Sequence, residues 1–210
     1  MRIPLWIDAS RLRVLIFGGG SVGLRRARLF ANSGAQVLVA ALDFKERGPY
    51  DILVVDLTRS DVDRLIRWAD LIVIAVNDQR IASDLYERAS RAGKLVNDAT
   101  NAERTHVVVP YFRDIGGVRV ATTSEGAAGT PARLALDVIE DCLAKSWIPT
   151  FFKAYSTAKA EAKRSIAEAK KRLAFYQELV EDELFMGYVR DGDLDKAIYR
   201  AREILKKYAG

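Results

Sequence analysis

Residues 12–34 read LRVLIFGGGSVGLRRARLFANSG and carry the most informative pattern in the chain. A short apolar run leads into three consecutive glycines, and a helical pattern that ends at Gly34 follows them. Gly18, Gly20 and Gly23 stand at the spacing G-x-G-x-x-G. In dinucleotide-binding proteins these glycines make the tight turn out of the strand, admit the pyrophosphate and let the helix pack closely. The segment therefore predicts a dinucleotide site, with a glycine-rich turn that binds no ligand as the alternative.

Strand and helix patterns continue to alternate after this unit. Strands are predicted at residues 36–40, 51–55 and 71–76 and from Leu95, and helices at residues 60–67, with Ser60 as the cap, and 81–92. This alternation is typical of an α/β fold with a Rossmann-like doubly wound parallel sheet. We expect the apolar residues 3–7 to form an edge strand or a lid over the core.

The predicted crevice residues lie where the strands end. The helix after the glycines begins with Ser21 and Val22, and its N-terminal N–H groups would face the phosphates. Asn77 and Asp78 follow the fourth strand, and loops at the carboxyl ends of such strands line the cofactor crevice. Asp43, about 20 residues past the glycines, would bind the ribose 2′-OH and favour NAD over NADP. A solvated loop aspartate would produce the same pattern at that position.

A dense polar run separates two apolar segments in the middle of the chain. Residues 96–112 read VNDATNAERTHVVVPYF, and the polar run either serves a site or forms a turn-rich crossover. A further strand is predicted at residues 118–122, and the small-residue loop TTSEGAAGTP then leads into a helix at residues 131–145 with Thr130 as its N-cap. Such a loop can hold an anionic group. The rest of the chain shows only helical patterns, at residues 158–184 and 194–208.

The composition limits the expected partners and compartment. Thirty-three basic and 28 acidic residues give a net charge of +5, which suits an anionic small molecule; nucleic acid would also suit it, but no nucleic-acid-binding motif is recognisable. The single cysteine, Cys142, excludes an internal disulfide and a cysteine-only metal site. No run of about 18 apolar residues could span a bilayer, and the N-terminus does not resemble a signal peptide. We therefore expect a cytoplasmic protein without membrane association.

Four regions of the chain, taken in order, resemble one known family. They read IPLWIDASRLRVLIFGGGSVGLRRARLF, then LIVIAVND with AGKLVNDATN, then VATTSEGAAGTPARLA, and finally RLAFYQELVEDELFMGYVRDGDLDKA. The family is that of the precorrin-2 dehydrogenases of sirohaem biosynthesis, some of which are also sirohydrochlorin ferrochelatases. The resemblance implies NAD-dependent oxidation of precorrin-2 to sirohydrochlorin, a homodimer and, in some members, Fe²⁺ as a second substrate. We expect an NAD-binding Rossmann domain at residues 1–112, a dimerisation region at 113–146 and a C-terminal helical domain at 147–210.

The resemblance also suggests site residues. The position of the family's acid/base aspartate is Thr100 in this chain, and the nearest carboxylate is Asp98, two residues earlier. In an extended segment these side chains point to the same face, so Asp98 is predicted to be the catalytic base. The alternative is that dehydrogenation relies mainly on positioning against the nicotinamide. The predicted substrate contacts, whose arginines would pair with substrate carboxylates, are Asn97, Thr100, Arg104, His106, Arg113, Ser124, Thr130 and Arg133.

Two other functions fit the same residues. A NAD-responsive regulatory or binding module would use the fold without chemistry, and the polar run would then be only a crossover. A chelatase without dehydrogenase activity would insert metal into supplied sirohydrochlorin and form no NADH. We expect no resident metal site. His106 or Glu103 could take up protons during metal insertion, although a lone histidine beside the apolar Val107 is commonly structural.

Overall fold

The computed structural model describes residues 2–58 and 61–209, which form two compact units. The first unit lies within residues 1–109 and 125–127, and the second within residues 110–124 and 128–210. Each unit has apolar core residues of its own. The three functional domains expected from the sequence stay a prediction.

The first unit is built around a five-stranded parallel sheet with the strand order β3-β2-β1-β4-β5. Its strands and helices are β1 (Arg13–Phe17), α1 (Ser21–Asn32), β2 (Gln36–Ala41), β3 (Asp51–Val54), α2 (Asp63–Trp68), β4 (Leu71–Ile74), α3 (Gln79–Arg91) and β5 (Leu95–Asp98). A 3-10 turn at Ala9–Arg11 precedes β1. The order runs outward from β1 in both directions, because β2 and β4 are its two neighbours. The predicted Rossmann-like α/β fold is confirmed.

The central strands are buried on both faces of the sheet, which explains their nearly continuous apolar runs. On one face Leu15, Phe17 and Ile72 pack with residues of α2 and α3, and all three are fully buried. On the other face Val14 and Ile16 pack with residues of α1. Alternate residues of one strand therefore contribute to two separate core clusters.

The N-terminal apolar segment does not form the expected edge strand. Residues 3–7 adopt neither strand nor helix, and Ile3, Leu5 and Trp6 are each more than 60% exposed. Pro4 has no backbone N–H to donate to a sheet ladder. The expectation of an edge strand is therefore wrong, whereas the alternative of a lid stays a prediction.

Element boundaries elsewhere in the first unit differ from the expected ones by a few residues. The helix expected at residues 60–67 is α2, with Val62 in the N-cap position. The predicted cap, Ser60, lies outside the described residues. The strand expected at residues 71–76 is β4, which stops at Ile74 before the chain enters the loop toward α3.

The described part of the second unit consists of a β-hairpin and five helices. These are β6 (Tyr111–Ile115), β7 (Val118–Thr122), α4 (Gly129–Ala144), α5 (Ile148–Ser165), α6 (Ala169–Glu181), α7 (Glu183–Arg190) and α8 (Leu194–Lys206). Gly116 and Gly117 close the hairpin with φ angles of 58° and 92°, which a two-residue turn of the primed type requires. The helical core contains Phe175, Leu179 and Phe185, each fully buried.

The helix after the hairpin begins at Gly129, so the prediction that Thr130 is its N-cap is wrong. Ala128 is the cap residue. The Ser124 hydroxyl accepts a hydrogen bond from the Ala128 N–H at 2.8 Å and donates one to the Ala128 carbonyl at 2.7 Å. This contact fixes the direction of the chain before Pro131 is reached, and the helix therefore starts two residues earlier than expected.

The single helix expected at residues 158–184 is interrupted at residues 166–168, between α5 and α6. Ile166 is buried in the helical core at this break. Arg172 donates hydrogen bonds to the carbonyl oxygens of Ile166 and Ala167 at 2.7 and 2.8 Å. The break is stabilised by apolar burial and by satisfied carbonyl groups, neither of which a helix-favouring composition reveals.

Candidate functional site

A crevice of about 340 Å³ opens at the carboxyl ends of the first four strands. It includes the point between β1 and β4 where the strand order reverses, which is where doubly wound folds bind their ligands. Five of the predicted cofactor contacts line it, namely Gly18, Gly20, Asp43, Asn77 and Asp78. The fold thus brings residues from three separate loops together at one site.

The three motif glycines satisfy three different geometric requirements. Gly18 has a φ of +117°, and a Cβ there would lie 2.3 Å from the Ala75 carbonyl oxygen. A Cβ on Gly23 would lie 2.2 Å from the Gly18 carbonyl oxygen, so this glycine permits the close packing of α1 against the turn. Gly20 lines the crevice, and no heavy atom lies within 4 Å of the position that a Cβ would take. Gly18 and Gly23 are therefore needed for folding, whereas the absence of a side chain on Gly20 leaves space open in the crevice.

The N-terminus of α1 offers hydrogen-bond donors beside this turn. Gly20 is the N-cap residue and has no side chain to accept a hydrogen bond. The backbone N–H groups of Ser21, Val22 and Gly23 consequently have no side-chain cap in the described chain. A helix N-terminus with free N–H groups favours an anionic group. The arrangement is the one that the predicted pyrophosphate contacts require.

A fourth glycine, Gly19, belongs to the same turn and is not identified by the motif. A Cβ on Gly19 would lie 2.0 Å from the Asp43 carbonyl oxygen, and the Gly19 carbonyl accepts a hydrogen bond from the Lys45 N–H at 3.2 Å. The loop that follows β2 is therefore packed directly on the glycine turn. The signal in the sequence is the middle glycine of the GGG run.

The polar residues predicted at the strand ends differ in whether their side chains already have hydrogen-bond partners. Asp43 is exposed, two residues past β2, and has no hydrogen-bond or ion-pair partner among the described residues. Asp78 is the N-cap of α3, where its Oδ1 accepts hydrogen bonds from the N–H groups of Arg80 and Ile81 at 2.7 and 3.4 Å. Asn77 lines the crevice beside it. Asp78 therefore stabilises the start of α3 as well as lining the crevice.

Asp98, the predicted base, is the last residue of β5, and its side chain is completely buried. Its Oδ2 accepts a hydrogen bond from Arg104 Nε at 2.6 Å, and its Oδ1 accepts bonds from the N–H and the hydroxyl of Thr100 at 2.8 and 2.7 Å. The assumption of an extended segment is wrong, because the strand ends at Asp98 and a turn brings Thr100 back. The carboxylate is therefore held by three donors, one of them cationic.

Arg104 connects this carboxylate to α3. Its Nη1 donates to the Ser83 hydroxyl at 2.9 Å, and its guanidinium lies over the ring of Tyr86, 4.9 Å from the centroid. Its Nη2 is buried and has no hydrogen-bond partner. Ser83 and Tyr86 were not predicted, because the helical pattern of α3 identifies only its apolar positions. Arg104 thus has one donor group left for a ligand.

His106 lies beside the middle of β5 and contacts Tyr86. The backbone N–H of His106 donates to the Val96 carbonyl at 2.8 Å, and its Nε2 lies 3.0 Å from the Tyr86 hydroxyl. The same tyrosine ring carries the guanidinium of Arg104, whose Nε binds Asp98 at the end of β5. His106 is thus close to the polar cluster around Asp98, but it is not among the residues that line the crevice.

Asn97 points to the opposite face of the sheet from Asp98, since neighbouring residues of a strand alternate. Its Nδ2 donates to the Val107 carbonyl at 2.7 Å, while its Oδ1 is buried without a hydrogen-bond partner. Thr105 accepts a hydrogen bond from the Asp98 N–H at 2.8 Å and so fixes the polar run against β5. A buried acceptor without a donor is costly, so Asn97 Oδ1 is a candidate contact for a ligand or a water molecule.

Four predicted substrate contacts belong to the second unit, namely Arg113, Ser124, Thr130 and Arg133. Arg113 Nε lies 3.2 Å from Glu140 Oε2, and Arg133 Nη1 lies 3.0 Å from Asp137 Oδ2. Both pairs are exposed, and such pairs contribute little to stability and can exchange partners. Ser124 holds the cap of α4 as described above, and Thr130 lies in the first turn of that helix.

A clearly lowered pKa belongs to Asp70, at the end of the sheet opposite the crevice. Arg13 Nη2 donates to Asp70 Oδ1 at 2.8 Å, and Arg13 Nε and backbone N–H donate to Oδ2 at 3.0 and 2.9 Å. These hydrogen bonds lower the pKa of the Asp70 carboxyl to about 2. The pair joins the amino ends of β1 and β4 and is structural.

The described residues hold neither a cluster of metal-ligating side chains nor a membrane-spanning helix. Within residues 2–58 and 61–209, no group of three or more His, Cys, Asp or Glu side chains could hold a metal ion. In the same part of the chain, none of the helices has the length and apolar character needed to cross a bilayer.

The fold, the glycine turn and the crevice together define a dinucleotide-binding protein of the Rossmann class. Residues 5–111 match a family model described as "Putative NAD(P)-binding". Because the match covers about half of the chain, the chain belongs to that NAD(P)-binding family.

Curated relatives and a solved structure extend the comparison to the rest of the chain. The siroheme synthase of Stutzerimonas stutzeri is 28% identical over 218 residues, which cover 99% of this chain and 44% of that protein. The siroheme synthase of Zymomonas mobilis subsp. mobilis is 23% identical over 212 residues, which cover 98% of this chain and 44% of that protein. The chain therefore spans less than half the length of these relatives.

A solved structure, described as SirC, a precorrin-2 dehydrogenase, matches this chain with a TM-score of 0.72 and 17% identity. The match covers 99% of this chain and 98% of that one, and it supports the fold. The family resemblance drawn from the sequence is confirmed by the family model and the curated relatives.

Proposed function

We propose that this protein binds NAD and oxidises precorrin-2 to sirohydrochlorin. The observation that carries the proposal is the glycine turn with its uncapped helix N-terminus at the reversal of strand order. The curated relatives, which are named siroheme synthases, support the choice of substrate. The reaction removes a hydride and a proton from the macrocycle, and NAD⁺, when bound, accepts the hydride.

The two halves of the crevice suit the two halves of the cofactor. We place the adenosine at the ends of β2 and β3, where Leu42 and Leu57 offer apolar contacts and Asp43 can accept a hydrogen bond from a ribose hydroxyl. The pyrophosphate would lie at the glycine turn and the N-terminus of α1. The nicotinamide would then lie toward the end of β4, beside Asn77 and Asp78.

Two roles are proposed for Asp98, and its hydrogen bonds favour the second. As the base, it would take the proton that leaves the macrocycle, but its oxygens already accept three hydrogen bonds and it is paired with Arg104. As a positioning residue, it would hold Arg104 so that the free Nη2 can bind a substrate carboxylate. In that case the proton passes to solvent water, and hydride transfer depends on how the macrocycle is oriented against the nicotinamide.

The variants Asp98→Asn and Arg104→Lys distinguish these roles. Loss of a general base lowers kcat by roughly 100-fold or more and removes its ionisation from the pH profile. Loss of a positioning residue raises KM for precorrin-2, and Arg104→Lys should then raise it similarly because lysine lacks the planar fork. Glu103→Gln is the matched control for the oxidation step, since Glu103 is exposed in the same polar run and is a candidate only for metal insertion. An unchanged kcat and KM in Asp98→Asn would contradict both roles.

The decisive assay for the activity is anaerobic. Purified protein is mixed with enzymatically generated precorrin-2 and NAD, and NADH absorbance and the sirohydrochlorin spectrum are followed before and after Fe²⁺ is added. We expect NADH and sirohydrochlorin to appear together. If neither forms above the rate without protein, the dehydrogenase proposal is wrong, and the binding module or the chelatase takes its place.

Insertion of Fe²⁺ into sirohydrochlorin is a second proposed activity. It is supported by the names of the curated relatives, since a siroheme synthase forms an iron-containing product. In the assay above, the spectrum should shift to that of sirohaem after Fe²⁺ is added, faster than in a protein-free control. No shift beyond that control would restrict the activity to oxidation. We propose the cytoplasm as the compartment for either activity.

We also propose that the chain forms a homodimer through residues 113–146. One side of α4 packs into its own unit through Ala132 and Leu136, whereas Leu134 and Val138 on the other side are 50% and 70% exposed. Contiguous exposed apolar surface is typical of protein interfaces. Val138→Asp should therefore yield a monomer in size-exclusion chromatography with light scattering. Leu173→Asp, on the exposed side of α6, is the control and should leave the assembly unchanged.

A further inference from the structure

The adenosine end of the crevice carries a lysine as well as an aspartate. Asp43 and Lys45 both line it, two residues apart on the loop after β2. Neither side chain has an ion-pair partner among the described residues. In dinucleotide-binding folds an acidic residue at this end binds the ribose 2′-OH, whereas a basic residue nearby accommodates a 2′-phosphate. Both determinants are therefore present at one site.

The position of Lys45 is fixed by the backbone around it. Its N–H donates to the Gly19 carbonyl at 3.2 Å, and the absence of a side chain on Gly19 lets the Asp43 carbonyl approach the same turn. The next residue, Glu46, forms an ion pair with Arg28 of α1 at 2.5 Å. The loop is thus attached to the glycine turn and to α1, so Lys45 is held beside the crevice.

The other carboxylate at this end is already engaged. Asp56 Oδ1 accepts hydrogen bonds from the N–H and the hydroxyl of Thr58 at 2.9 and 2.6 Å. Lys45 is therefore the side chain at this end with a free positive charge, among the described lining residues, and Asp43 is the one with a free negative charge. A lysine ammonium is a compact charge that binds phosphate well.

We propose that Lys45 binds the 2′-phosphate of NADP, so that the crevice accepts both NAD and NADP. This inference rests on the proposed function, since it requires that a dinucleotide occupies the crevice. Asp43 and Lys45 then act in opposite directions: the carboxylate accepts a hydrogen bond from the 2′-OH of NAD and repels a phosphate, and the ammonium attracts the phosphate. NAD carries no charge at its 2′ position, so Lys45 should contribute little to its affinity.

Binding titrations with fragments and whole dinucleotides test the proposal. The wild type and the variants Lys45→Gln and Asp43→Asn are titrated with NAD⁺, NADP⁺, 5′-AMP and 2′,5′-ADP by calorimetry. Lys45→Gln should raise the Kd for NADP⁺ and 2′,5′-ADP about tenfold or more, because one charge-assisted hydrogen bond is lost. The Kd for NAD⁺ should rise less than about twofold. Asp43→Asn should increase the affinity for NADP⁺ relative to that for NAD⁺. Arg47→Gln, exposed on the same loop but outside the crevice lining, is the control and should change neither affinity.

Two results would overturn the proposal while leaving the proposed function intact. One is a wild type that binds NAD⁺ but neither NADP⁺ nor 2′,5′-ADP. The other is a Lys45→Gln variant that lowers the affinities for NAD⁺ and NADP⁺ equally. That result would place the lysine ammonium at the pyrophosphate instead. A wild type that binds no dinucleotide would overturn the proposed function and this proposal together. Circular dichroism confirms that each variant is folded.

Discussion

Replacing Gly20 with valine should separate cofactor binding from folding. Gly20 has φ and ψ angles of −80° and 176°, an extended conformation that any residue adopts. No heavy atom lies within 4 Å of a Cβ at this position, so no described neighbour has to move. We therefore expect Gly20→Val to fold, with a free energy of unfolding within about 1 kcal/mol of the wild type, because glycine is a better N-cap residue than valine.

The expected effect on NAD affinity is much larger. The valine side chain would occupy space at the crevice wall where the pyrophosphate approaches the backbone. Moving the phosphate away from even one N–H group of α1 forfeits a charge-assisted hydrogen bond, which contributes about 1.5–3 kcal/mol. Since about 1.4 kcal/mol is a factor of ten, the Kd for NAD should rise roughly 10- to 100-fold. Calorimetric titration gives the Kd, and urea unfolding gives the stability.

Two further glycine variants make the result interpretable. Gly187→Ala, in α7 of the second unit, also has open space at the Cβ position and should leave NAD binding unchanged. Gly23→Ala should lose stability instead, because its Cβ would lie 2.2 Å from the Gly18 carbonyl oxygen. If folded Gly20→Val binds NAD as tightly as the wild type, the placement of the pyrophosphate at this turn is wrong.

Two other predictions concern stability. The pKa of Asp70 is lower in the folded chain than in the unfolded one, so its ion pair with Arg13 stabilises the protein fully above about pH 4 and loses this effect as the pH falls through about 2. Asp70→Asn should lower the free energy of unfolding by about 1 kcal/mol at pH 7, a value that allows for solvent screening, and by less at pH 3. Urea unfolding at both pH values measures the loss. An equal loss at pH 7 and pH 3 would contradict an origin in the ionised Asp70. Phe175→Ala should cost about 3–5 kcal/mol, because the ring is fully buried and lies beside Tyr176 and Tyr208; a cost below about 1 kcal/mol would show that the core collapses around the cavity.

The parallel sheet could be predicted because its signals are local. The run from Val14 to Phe17 is apolar at every position, as a strand buried on both faces must be. The glycines mark the turn at which β1 ends and α1 begins, and the roles that the motif gives to Gly18 and Gly23 agree with the contacts of the structure. The crevice followed from the same reasoning, because the carboxyl ends of parallel strands share one edge.

The polar cluster could be predicted only in part, because its contacts join residues distant in sequence. Composition showed that residues 96–112 are dense in polar side chains, but not that Arg104 reaches Ser83 and Tyr86 of α3, about 20 residues away. The same limit explains the start of α4: Thr130 and Pro131 are good cap and first-turn residues, yet a hydrogen bond from the preceding loop starts the helix earlier.

The Asp98 carboxylate lies beside Thr100, the position at which the family resemblance places an aspartate. The Thr100 hydroxyl donates to Asp98 Oδ1 at 2.7 Å, so the carboxylate lies in direct contact with the residue that stands where the family aspartate is expected. The Asp98 carboxylate is paired with Arg104, as a buried charge requires, since removing one partner of such a pair costs about 3–5 kcal/mol. A change at Asp98 is therefore expected to affect stability as well as the role proposed for this residue. Asparagine is the informative replacement, because it removes the charge while it keeps an oxygen that can accept the Thr100 hydrogen bonds.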